Sequence, residues 1–124
     1  MIKTPFNPHL SYGEGLHIIV APTLDLQTAW QDSEVGAEVF RLGAKICAVM
    51  EREGMAPWFN LQANGNWGLL PGSTPFFHLH VYGRNKTNQW GKPVVLPEAP
   101  GTYQNDPMPE VDRQRLVELF AAEL

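Results

Sequence analysis

Apolar residues in this chain follow two periods, and each period predicts a different element. From Ser33 to Glu53, Val35, Val39, Leu42, Ile46, Cys47 and Met50 recur at steps of three and four, the spacing of an amphipathic helix. Ser33 or Asp32 offers its cap and Gly54 its stop. From Pro109 to Leu124, Leu116, Val117, Phe120, Ala121 and Leu124 repeat the spacing behind an acidic first turn, predicting a C-terminal helix packed by one face. The run Leu16 to Ala21, β-branched and closed by Pro22, predicts a buried strand. Trp58 to Asn64 alternates apolar with polar, as a half-buried strand does. Thr74 to Arg84 also reads as a strand, with Phe77, Leu79 and Val81 on one side and Phe76, His78 and His80 on the other. Weaker signals predict short strands at Leu10 to Tyr12, inside an irregular lead-in, and at Pro93 to Leu96. Thr23 to Asp32 suits a short helix or an extended loop. The order strand, strand, helix, strand, strand, short strand, helix is that of an α+β domain: an antiparallel sheet with one long central helix and a C-terminal helix. A length of 124 residues supports one such domain, spanning 1–124.

The side of the last long strand that does not enter the core carries the chemistry. His78 and His80 lie about 6 to 7 Å apart on it, two residue rises. The strand exits through Gly83-Arg84, which adds a fixed positive charge. Two imidazoles with a guanidinium suit a phosphate. Solvated histidines without function and a chelating His-x-His pair are the competing readings. Between Asn60 and Lys92 there is no Asp, Glu or Cys to complete a coordination sphere, although His9 or His17 could contribute. The preceding loop, Gly65 to Gly72, carries three glycines that let backbone N–H groups approach an anion.

Composition narrows the partners. A formal charge of −4 argues against polymeric nucleic acid but leaves room for a small phosphorylated ligand. No apolar run approaches the ~20 residues of a membrane helix. The first residues lack the apolar core of a secretion signal, and the single cysteine, Cys47, fits a reducing cytoplasm.

Together these segments resemble the histidine-triad (HIT) superfamily of nucleotide hydrolases and transferases, whose strand motif is His-φ-His-φ-His-φ-φ with φ apolar. Phe76 takes the first position, His78 the centre, His80 the third, Val81-Tyr82 the apolar pair, and Gly83-Arg84 the usual exit. The register that starts at His78 fits less well, because it makes Gly83-Arg84 the apolar pair. Ser73-Thr74-Pro75 resembles the Ser-Leu-Pro of galactose-1-phosphate uridylyltransferases, and His17 to Pro22 resembles the family's strand ahead of its long helix. Asn64 and Ser73 match phosphate-contacting positions. The chain departs from the family at Phe76, where a supporting histidine is missing. Only sixteen residues precede His17, so the family's N-terminal hairpin with zinc-binding cysteines is not expected here.

The resemblance implies a hydrolase that cleaves a dinucleoside polyphosphate or nucleoside phosphoramidate at the α-phosphate through a phosphohistidine. His78 would be the nucleophile, with His80 and His17 assisting it and Asn64, Ser73, His80 and Arg84 binding phosphate. No metal or other cofactor is expected, and a homodimer paired through the long helix is. The widened apolar stripe of Val39, Phe40, Gly43 and Cys47 is consistent with that pairing. The alternative is a degenerate relative that binds nucleotides without turnover.

Overall fold

The computed structural model describes residues 1–85 and 103–124. Among these residues four strands, β1 (Ile2–Lys3), β2 (Leu16–Val20), β3 (Trp58–Gln62) and β4 (Leu79–Arg84), form an antiparallel sheet in the order β1-β2-β4-β3. One long helix, α1 (Ser33–Arg52), lies between β2 and β3 in sequence, and α2 (Glu110–Glu123) follows β4. The α+β architecture read from the sequence is the one observed.

The apolar face of the sheet and the inner face of α1 make the core. Ile18, Val20, Leu79 and Val81 are fully buried, as are Ile46 and Met50 from the helix. Asp32 caps α1, its Oδ1 accepting from the Val35 N–H at 3.1 Å. Gly54 stops the helix with a φ of +70, a backbone state that costs glycine little. At Gly43 the helix presses closest to the sheet: a Cβ there would stand 2.7 Å from Leu79 Cδ2 and 3.2 Å from Leu61 Cδ2. Val39 and Gly43 are therefore used on the chain's own sheet, and of the widened stripe only Phe40 is exposed while Cys47 is half-buried.

Several boundaries differ from the sequence reading. Leu10 to Tyr12 is not a strand: a turn begins at Tyr12, and Glu14 N–H bonds to Ser11 C=O at 2.8 Å. The lead-in instead pairs through Ile2 and Lys3 with Val20 and Ile19. The histidine strand begins at Leu79, leaving Phe76 and His78 in the extended segment before it. Part of the cause is a competing contact, because Phe77 N–H donates to Leu26 C=O at 2.7 Å rather than to a neighbouring strand. The connection before α1 contains one 3-10 turn, Ala29–Gln31. In α2 only Leu116 and Phe120, one helical turn apart, are buried, while Val117, Ala121 and Leu124 lie around the helix in solvent. The strand expected at Pro93 to Leu96 lies outside the described residues.

Candidate active site

Antiparallel register brings the polar face together. His17 stands opposite Tyr82 and Ile19 opposite His80 across β2 and β4, while Asn60 and Gln62 of β3 flank Tyr82 and His80 on the other side. Side chains alternate along each strand, so His17, His80, Tyr82 and Gln62 share the face that α1 does not cover.

A directed hydrogen-bond chain runs through this face. The backbone N–H of His9 donates to His17 Nδ1 at 2.9 Å, and His17 Nε2 lies 2.9 Å from His80 Nδ1. Burial first, then the neighbouring imidazoles, holds His17 down to about 2 and His80 down to about 3. Both are thus neutral near pH 7. A neutral His17 that accepts at Nδ1 must carry its proton on Nε2, so it donates to His80 Nδ1. His80 is then left with its proton on Nε2.

His78 is oriented in the opposite sense. Its Nδ1 lies 2.8 Å from the Phe76 carbonyl oxygen, which can only accept, so Nδ1 bears the proton. In the neutral ring the lone pair then resides on Nε2. The His78 and His80 rings meet edge to face at 4.6 Å. One imidazole offers a nucleophilic lone pair and its neighbour an N–H donor, a complementary pair for attack on an electrophile bearing acceptor oxygens.

A concavity of about 210 Å³ opens beside His78, walled by Trp30, Asn64, Trp67, Ser73 and Phe76 among others. Asn64 and Ser73 thus line the same concavity as His78. Their polar atoms are engaged inward, however. Ser73 Oγ donates to Trp67 C=O at 2.8 Å, and Asn64 Oδ1 accepts from Gln62 Nε2 at 3.0 Å. Asn64 Nδ2 is buried without a bond of full geometry among the described residues, though it comes near enough to the Tyr82 hydroxyl to oppose the rise in that phenol's pKa caused by burial.

Arg84 lies further along β4, at the strand period of two after His80 and Tyr82. It is buried on β4, six residues beyond His78 and so roughly 20 Å along an extended chain. Its Nη1 donates to Asn60 Oδ1 at 3.0 Å, and it does not line the concavity.

Two residues escaped the sequence reading as members of this cluster. His9 stacks its ring 4.5 Å from that of His17 and 5.0 Å from that of His80, and Tyr82 meets His9 Nδ1 through its hydroxyl at 2.6 Å. His9 lies in no periodic pattern that would have marked it, whereas Tyr82 follows His78 and His80 at the strand period but was read only as half of the apolar pair. His9, His17 and His80 each offer a nitrogen, all within 4.8 Å of one another, the one histidine cluster of that kind among the described residues. Both nitrogens of His17 are already engaged, so an ion there would have to displace a hydrogen bond from the chain above. A larger, mostly apolar groove of about 1010 Å³, between the lead-in and α2, contains none of the four histidines.

No family model matches the chain, and no curated protein matches it either. Among solved structures, the crystal structure of a histidine triad (HIT) protein from Sinorhizobium meliloti 1021 matches with a TM-score of 0.58 at 17% identity, over 95% of this chain and 89% of that one. That likeness establishes architecture: the chain has the fold of a histidine triad protein.

Proposed function

We propose that the chain hydrolyses a nucleoside phosphate derivative, a dinucleoside polyphosphate or nucleoside phosphoramidate, at its α-phosphorus. The observation that carries this reading is the bond from His78 Nδ1 to the Phe76 carbonyl, which leaves the Nε2 lone pair beside the concavity. The histidine triad fold supports the nucleotide class.

In the first step the Nε2 lone pair forms an N–P bond as the P–O or P–N bond to the leaving group breaks. The leaving group departs with that electron pair and takes a proton from solvent. In the second step a water oxygen attacks phosphorus, the N–P bond returns its electrons to Nε2, and the water's proton passes to solvent. Nucleoside monophosphate is released. Splitting the displacement in two lowers each barrier. His80 Nε2–H would donate to the phosphoryl oxygens as their charge grows, and His17 would hold His80 in the donating tautomer. Asn64 and Ser73 would turn from their internal partners toward phosphate. No step calls for a metal ion.

The inward bonds of Asn64 and Ser73 favour one competing reading, a nucleotide-binding module without turnover. Rapid-quench trapping with radiolabelled dinucleoside polyphosphate separates the two. An acid-labile phosphohistidine followed by nucleoside monophosphate is expected; saturable binding with neither species would overturn the hydrolase reading.

We also propose that the protein pairs as a homodimer through α1. Phe40 is exposed on that helix, and β3, at the edge of the sheet, presents Trp58 at 74% exposure. It has no helix long and apolar enough to cross a membrane among its described residues. A reducing cytoplasm, where Cys47 stays a free thiol, is the compartment proposed for it.

A further inference from the structure

We propose that His9, from the N-terminal lead-in, and Tyr82, from β4, are a positioning pair for the buried imidazoles. The pair keeps His80 in its Nε2–H form. This rests on the reading of His80 as the phosphate donor.

The lead-in is an irregular segment, yet it is tied down on both sides. Asn7 Nδ2 donates to Tyr103 C=O at 2.8 Å, Asn105 Nδ2 to Pro8 C=O at 2.9 Å, and Tyr12 N–H to Asp106 C=O at 3.0 Å. On the other side His9 reaches the polar face of the sheet with both its backbone and its ring. The backbone N–H meets His17 Nδ1, and the ring stacks over His17 and His80.

The direction of the Tyr82 contact follows from what surrounds it. Tyr82 is fully buried, and burial raises its pKa, so the phenol keeps its proton. The neighbouring Asn64 amide nitrogen can only donate. His9 Nδ1, at 2.6 Å, is the acceptor within reach of the phenolic hydrogen. Burial, then the neighbouring His78 imidazole, lowers the His9 pKa, which leaves that acceptor lone pair in place. The donors are therefore aligned one way: Tyr82 O–H to the His9 ring, His9 N–H to His17, His17 Nε2–H to His80.

Each link removes a choice from the next. Without the hydroxyl of Tyr82 the His9 ring loses its anchor on the sheet, and the alignment of its backbone N–H with His17 Nδ1 rests on the bonds of the lead-in alone. His17 can then carry its proton on Nδ1, and His80 can take the Nδ1–H form. In that form His80 turns a lone pair toward the phosphoryl oxygens, which repels where a donor would attract.

The test reads imidazole tautomers by nitrogen-15 NMR and, in parallel, turnover of adenosine phosphoramidate. In the unmodified protein His80 should carry its proton on Nε2. Tyr82→Phe keeps the buried ring and removes only the hydroxyl, and His9→Leu removes the acceptor. Both should give a mixture of His80 tautomers and lower kcat on the order of 10-fold, one hydrogen bond's worth, with KM little changed. His9→Asn, whose side-chain oxygen can accept from Tyr82, should restore the single tautomer and most of the rate. Unaltered tautomers in Tyr82→Phe and His9→Leu, or an Nδ1–H tautomer in the unmodified protein, would overturn the proposal. Absence of turnover in every form would sink the hydrolase reading alone, because the tautomer populations decide the role of His9 without it.

Discussion

His17 Nε2 and His80 Nδ1 meet at 2.9 Å across β2 and β4, and both rings are buried in neutral form. Their folded pKa values fall from 6.5 to about 2 and about 3. Below pH 6.5 the unfolded chain therefore binds protons that the folded chain refuses. The associated stability is fully present above 6.5 and is lost as pH falls through the window toward 3. Each histidine contributes up to about 1.4 kcal/mol per pH unit inside it. The upper part of the window lies above the usual carboxylate range, so a decline there reports on the histidines. Denaturant titrations at stepped pH measure it, and a flat profile between pH 6.5 and about 5 would mean that the two imidazoles titrate normally.

A second expectation concerns Phe76, the position where the strand motif departs from three histidines. The bond that orients His78 comes from the main-chain carbonyl of residue 76, which any side chain leaves intact. The Phe76 ring is 40% exposed, with its centroid 6.1 Å from that of His78. Replacing Phe76 by His or Ala should accordingly change kcat by less than about 10-fold, under the value of one hydrogen bond. A large gain in Phe76→His would show that the side chain, and not the backbone, limits this site.

The readable parts of this molecule were those in which one short stretch carries its own period. Leu79 and Val81 alternate with His80 and Tyr82, so the strand announced both its core face and its chemical face. The steps of Val39, Ile46 and Met50 did the same for α1. His9 was not readable in this way. Its partners are eight residues away at His17 and 73 away at Tyr82, and the lead-in that carries it owes its course to bonds with residues 103–106. Arg84 shows the same limit. Its position after the histidines was plain, but its hydrogen bond to Asn60 on β3 joins segments 24 residues apart and has no local trace. Contacts between distant segments leave no period, so the support around the histidines was hidden while the histidines were not.

Pairing of the proposed homodimer should depend on Phe40. It is 42% exposed on α1, and Val39 beside it is used on the chain's own core. Phe40→Glu places a charge in the interface without touching that core. Light scattering should move from a dimer to a monomer, with the unfolding midpoint of the isolated chain little altered. A monomer at micromolar concentration before any substitution would remove the prediction.

The roles of His78 and His80 can be separated by how severely each loss is felt. In the proposed reaction His78 holds its proton on Nδ1 and attacks through Nε2, so His78→Ala would remove the group that forms the covalent bond. Turnover should be abolished while binding of a nucleoside monophosphate persists, since binding draws on several other groups. In the same proposal His80 only donates a proton where charge develops, so His80→Ala should leave slow turnover, down on the order of 10² to 10³ in kcat. His80 is also part of the buried chain from His17, and its loss leaves the His17 Nε2–H without an acceptor. The alanine variant should therefore also lose stability, by about 1–3 kcal/mol, whereas the half-buried His78 should lose less. If His80→Ala were dead at full stability and His78→Ala merely slow, the attacking imidazole would be His80.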